Sequence, residues 1–200
     1  RGPHLRTLAA RAVIVVTEDM PWSPLVSWTR ALASSLSVPV WAVDTACVLP
    51  TRSLGRAWQR AFSFRGATAT QRLARALQPW TEQTPAYPAF VPALPFAPVD
   101  LACADLPSLI AECQIDHAIA PVPHTRGGSQ AGYDRWARFL AHDLGTYATR
   151  RDDPLANASS RLSAYLHYGH VSPLRIARQA ATAPIDRESR DKFLDELLTW

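Results

Sequence analysis

The sequence predicts an α/β end-piece, a connector, and the opening helices of an all-α domain. Three observations carry that prediction. A β-branched run, a helical stretch and a second apolar run succeed one another at the start of the chain. Nine of the 17 prolines then crowd between Pro79 and Pro123. After "TRGGSQAG" the pattern turns to apolar residues at helical spacing. The divisions fall at residues 1–50, 51–128 and 129–200.

The elements come in order. "RAVIVVTEDMP" reads as a short buried strand, closed by charge and by Pro21. Ser23 and Pro24 make a cap and a first-turn proline for a helix carrying Leu25, Trp28, Leu32 and Leu36. "VPVWAVD" is a second strand ending at Asp44. Strand, helix, strand with short joints is the unit of a parallel sheet. From Thr51 to Leu77 the chain is rich in arginine and partly helical. The proline-dense stretch reads as an extended connector with one short helix in "DLPSLIAECQ". Tyr133, Trp136, Ala137, Leu140 and Leu144 then predict one helix through "YDRWARFLAHDLGTYATR". "SSRLSAYLHYG" predicts a second, "SPLRIARQAA" a third capped by Ser172 with Pro173 behind it, and "ESRDKFLDELLTW" a fourth.

Composition narrows the function classes. A 48% hydrophobic and 19% charged chain builds a core, so disorder is excluded. The longest apolar run, "AVIVV", is too short to span a bilayer, and no leader precedes it, so no membrane partner and a cytoplasmic setting are expected. Cys47, Cys103 and Cys113 are odd in number and form no CxxC pair; they read as small buried hydrophobes, without disulfide or metal. Lys192 is the only lysine, and arginine supplies the remaining positive charge. Its planar donor fork suits phosphate, so a nucleic-acid partner is allowed. The single methionine is Met20, and the last helix stops without a cap, which reads as a segment of a longer protein.

"SSRLSAYLHYGH" concentrates the chemistry. Ser159 or Ser160 at a helix start would satisfy free backbone N–H groups as an ordinary cap. The same hydroxyls at the positive end of a helix would also hold an anion. Both readings stay open on the residues alone. His167 and His170 offer too few ligands for a metal site. Neither a GxSxG, a GxxxxGK[ST] nor a GxGxxG motif is present.

The stretch "YATRRDDPLANASSRLSAYLHYGHVSP" resembles the photolyase/cryptochrome flavoproteins. Their flavin-binding domain carries a tyrosine, an Arg-Asp/Asn-x-Pro turn and a Thr/Ser-Ser-x-Leu-Ser-x-Tyr-Leu helix at this spacing. "FLDELLTW" is similar to that family's Phe/Trp-Leu-x-Glu-Leu segment. "VVTEDMPWSPLVSWTRALASSLSVPVWAVDTACVLP" looks like the closing strands of its antenna domain, in a form similar to the class II branch. The departures are Ser159, where threonine is commoner, and Ala164, where proline is usual. The resemblance therefore implies the end of a parallel-sheet antenna domain, a connector, and an incomplete all-α FAD-binding domain.

The resemblance also implies a role for individual residues. Tyr147 would contact FAD, Ser159, Ser160, Leu162 and Ser163 would hold its phosphates and sugar, and Phe193 would pack against it. Glu196 would face the lesion pocket as the catalytic residue. Apart from the resemblance, Arg151 and Arg161 are candidates for phosphate contacts to DNA or cofactor. The implied activity is light-driven repair of cyclobutane pyrimidine dimers, with damaged DNA as partner, no obligate protein partner, and an antenna chromophore left open. The alternatives are a cryptochrome-like photosensory flavoprotein and a non-catalytic truncated remnant. The segment alone is expected to be inactive.

Overall fold

The computed structural model describes residues 4–79 and 93–199. In chain order the elements are α1 (His4–Ala9), β1 (Val15–Glu18), α2 (Leu25–Ser34), β2 (Val40–Val43), a 3-10 turn (Thr51–Leu54), α3 (Ala61–Leu77), α4 (Leu106–Ala111) and α5 (Ser129–His142). A second 3-10 turn (Leu144–Thr146), α6 (Tyr147–Arg150), α7 (Ser163–His167), α8 (Pro173–Ala181) and α9 (Arg187–Thr199) come after it. Two compact units share these elements: Arg1–Val43 with Gln83–Thr125, and Asp44–Glu82 with Arg126–Trp200.

In the first unit β1 and β2 pair in parallel, Val15 opposite Val40 and Glu18 opposite Val43. The strand–helix–strand reading therefore holds. The strand is not buried as expected: β1 alternates half-buried and exposed residues. One partner strand leaves much of its surface open, and Val16, Trp28 and Trp41 are all exposed. Pro24 itself stands at the N-cap of α2, with no side-chain cap, so Ser23 does not play that part. The three cysteines are exposed rather than buried, because they lie in turns and at the end of short α4 instead of on core faces. Part of the proline-dense connector, residues 80–92, lies outside the described residues.

The second unit holds the main core. Trp136, Phe139, Leu144, Leu162, Tyr165, Ile176, Phe193 and Leu194 are buried together. Each such side chain contributes roughly 1.5–3 kcal/mol on burial. The arginine-rich stretch from residue 61 is a 17-residue helix, α3, packed on α8 and α9. Its Arg72 is buried, donating to Thr199 Oγ1 at 2.9 Å and to the Arg65 carbonyl at 3.3 Å. Arg65 pairs with Asp195 at 3.1 Å. These bonds tie α3 to α9 and make it part of the helical unit.

Two helix expectations change. The helix of residues 133–150 ends at His142, and a 3-10 turn and α6 complete it; Gly145, poor in helices, sits in that break. The next helix does not start at Ser159. Asn157 and Arg161 have φ values of 49° and 51°, left-handed backbone that interrupts a right-handed helix. Helix α7 begins only at Ser163, with Leu162 at its N-cap and no side-chain cap bond. It closes on Gly169, φ 68°, where the His170 N–H donates to the Tyr165 carbonyl at 2.8 Å and the Gly169 N–H to the Leu166 carbonyl at 3.2 Å. Helix α8 matches its expectation: Ser172 accepts from the Arg175 N–H, and Pro173 comes next.

Candidate functional site

Four of the residues singled out in the sequence meet between α6 and α9. Tyr147 and Phe193 are both buried and pack edge to face with ring centroids 5.5 Å apart. Phe139 of α5 touches both rings, and Trp136 stacks on Phe193 at 5.5 Å. The cluster is anchored through polar ends: Trp136 Nε1 donates to Gln179 Oε1 at 2.6 Å. Ser189 Oγ, on α9, accepts the N–H of Ala148 at 3.2 Å and so fixes α6 against α9.

Arg151 closes this cluster on the outside. Its guanidinium lies 5.9 Å from the Tyr147 ring centroid and pairs with Asp152 at 3.0 Å and Glu196 at 2.5 Å. Lys192, one turn before Glu196 on α9, reaches the same carboxylate oxygen at 2.9 Å. The Lys192 ammonium, against a smaller opposing effect of burial, and then the Arg151 guanidinium hold the Glu196 carboxyl below its ordinary range. Glu196 is thus a carboxylate flanked by two cations and partly open to solvent.

Ser159 and Ser160 sit elsewhere, in the irregular stretch before α7. They line a cleft of about 230 Å³ with Arg135, Arg138, Phe139, Asp143 and Asn157. Phe139 joins this cleft to the aromatic cluster. Because α7 has five residues and starts after the serines, a helix dipole does not account for any anion affinity of these hydroxyls. Leu162 is buried in the core, and Ser163 is exposed at the start of α7. Arg161 is exposed and makes no contact with Glu196 or Tyr147. Arg135 and Arg138 were not singled out in the sequence. Their one signal was a spacing of three on a stretch already read as helix.

No protein-family model matches the chain. Curated relatives do. A deoxyribodipyrimidine photo-lyase of Methanothermobacter thermautotrophicus is 37% identical over 73 residues, 36% of this chain and 16% of that protein. A second protein of that name, from Oryza sativa subsp. japonica, is 42% identical over 62 residues, 30% of this chain and 12% of that protein. Over these stretches the chain is similar to deoxyribodipyrimidine photo-lyases. Its fold agrees: a bacterial class III photolyase from Agrobacterium tumefaciens superposes with a TM-score of 0.62 over 97% of this chain and 41% of its own, at 20% identity. That identity speaks for the fold and not for a branch of the family. The matched residues make up less than a fifth of either curated photo-lyase. Among the described residues no helix is long and apolar enough to cross a membrane, and no cluster of metal-ligating side chains occurs.

Proposed function

We propose that the protein carrying this chain is a light-driven DNA repair enzyme that splits cyclobutane pyrimidine dimers, with FAD as cofactor. When bound and reduced, FAD would supply the light-driven electron chemistry that the repair needs, and the protein would position flavin and lesion and exclude water. The observation that carries the reading is the grouping of Tyr147, Arg151, Phe193 and Glu196 in one place, in a chain similar to photo-lyases. The donor chemistry fits a dinucleotide: the hydroxyls of Ser159 and Ser160 face a polar cleft beside an aromatic cluster.

In this reading Tyr147 and Phe193 pack against the flavin. Ser159, Ser160 and Ser163 hold its phosphates and sugar, and Leu162, a core side chain, contributes through its main chain. Glu196 faces a dimer extruded from the duplex, a move that costs less for a lesion that stacks poorly. Lys192 and Arg151 keep it ionised there. Arg161, exposed, contacts a DNA phosphate, and Arg151 does so by sharing its guanidinium between Glu196 and the strand. DNA binding then weakens with salt. The α/β unit is read as the end of the antenna domain and the helical unit as part of the FAD-binding domain. With the chain spanning a part of its relatives' length, repair is assigned to the whole protein, and the 200 residues alone are expected to be inactive.

The test separates repair from signalling. Flavin-loaded protein is irradiated with a dimer-containing oligonucleotide, wild type beside Glu196→Gln. Light-dependent cleavage that falls several-fold in the variant while flavin is retained supports the proposal. A protein that holds FAD and cleaves nothing in light is of the photosensory kind, and the proposal fails.

A further inference from the structure

One oxygen of Glu196 carries both of its cations. Arg151 Nη1 and Lys192 Nζ each meet Oε1, at 2.5 and 2.9 Å. The other oxygen, Oε2, has no partner among the described residues. Those two cations are the charged groups that reach this carboxylate among the described residues. Asp152 meets it only through Arg151, and Asp195, the preceding residue on α9, pairs instead with Arg65 of α3.

The two cations are held in different ways. Arg151 comes from the end of α6 and divides itself between Glu196, Asp152 and the Tyr147 ring. Lys192 stands one turn before Glu196 on α9, so its contact needs no other element. It is also the only lysine among the 21 lysines and arginines of the chain. A guanidinium fork matches two phosphate oxygens, whereas an ammonium is a compact point charge on a flexible stem.

We propose that Lys192 is a positioning residue for Glu196, which holds Oε1 by itself when Arg151 turns to a strand phosphate and leaves Oε2 open to the ligand. Without the lysine, that turn would strand a half-buried carboxylate beside an incoming phosphate. Burial and the new negative charge would then both favour its protonation. With the lysine in place, Arg151 passes from one anion to another while Glu196 keeps a counter-charge. The double pairing stands on the geometry alone; only the phosphate that draws Arg151 away rests on the function proposed above.

The experiment uses the protein that carries this chain, isotope-labelled at the glutamate side-chain carboxyls. The Glu196 signal is identified by its loss in Glu196→Gln, and its titration is followed by NMR in the free protein and with an undamaged duplex oligonucleotide at low salt. In the free protein, Arg151→Met is expected to leave the midpoint below the ordinary glutamate value, because Lys192 remains. With duplex bound, wild type is expected to stay low, and Glu196 in Lys192→Met to hold its proton at least about tenfold more tightly than in wild type. Lys192→Arg keeps the charge and is expected to titrate as wild type; a merely structural contact would not follow the charge. An ordinary midpoint in free Arg151→Met, or equal midpoints for wild type and Lys192→Met on duplex, overturns the proposal. Duplex binding with equal midpoints leaves the proposed function standing. A wild type that binds no duplex sinks that function, and the free-protein titration then decides whether Lys192 holds Glu196.

Discussion

Replacing Gly132 by alanine should destabilise the helical unit, although alanine is the better helix former. Gly132 lies on α5 where it passes α7 and Val171. A Cβ there would stand 2.6 Å from Val171 Cγ1 and 2.9 Å from Tyr165 Cδ1. The first distance is about 0.8 Å short of ordinary contact. Neither neighbour retreats easily: Val171 is buried, and the Tyr165 hydroxyl donates to the Arg126 carbonyl at 2.7 Å. Overpacking of this kind costs about 1–3 kcal/mol. Alanine recovers about 1 kcal/mol through helix propensity. The net expectation is a loss of up to about 2 kcal/mol. Gly66 is the control. It lies in α3, and a Cβ there meets nothing within 4 Å, so Gly66→Ala should gain up to about 1 kcal/mol. Urea titration of both variants, followed by circular dichroism, reads the two signs directly. If Gly132→Ala stabilises the protein as Gly66→Ala does, the close approach of α5 and α7 is refuted.

Asp44 organises the turn after β2: it accepts from the N–H groups of Ala46, Cys47 and Thr51 and from the Thr51 hydroxyl. Partial burial pushes its carboxyl up, but these bonds more than offset it and hold the group below its ordinary range. Asp44→Ala should cost about 1–3 kcal/mol, read as a lower urea midpoint with an unchanged slope. Glu196 likewise has a folded value below its ordinary 4.5. Its pairing with Lys192 and Arg151 therefore stabilises the fold above that ordinary value and fades as pH falls through the lowered one. Glu196→Gln should lose about 1 kcal/mol at neutral pH and progressively less as pH falls through the lowered value; an equal loss across the whole acid range would refute the pairing. Tyr165→Phe should cost about 1 kcal/mol through loss of the bond to Arg126, measured in the same titration.

Much of the fold was legible because its signals are local. A β-branched run closed by Pro21 pointed to a strand, and Ser172 before Pro173 to a helix start that the structure keeps, whereas the same pair at Ser23 and Pro24 did not supply a serine cap. The parallel pairing of the two strands was implied by the short joints, and its register, Val15 on Val40, came only with the structure. Other features depended on tertiary context. Nothing in "ANASSRLS" announces that Asn157 and Arg161 turn left-handed, so the serines looked like caps. The burial of Arg72 required α9, whose Thr199 lies 127 residues away. At the site, the motifs pointed to Tyr147, Arg151, Phe193 and Glu196, and the structure brings these four together. The cleft at Ser159 and Ser160 was half legible. Its serines stood in a motif, while Arg135 and Arg138 come from another helix with only their spacing to mark them.

Light-dependent dimer cleavage tests the proposed function most directly. The protein carrying this chain is loaded with FAD, reduced, mixed with an oligonucleotide holding one cyclobutane dimer, and split into illuminated and dark samples. Restored pyrimidines in the light and none in the dark are the expected result. Bound flavin with an intact dimer in both samples would contradict repair as the function of this site.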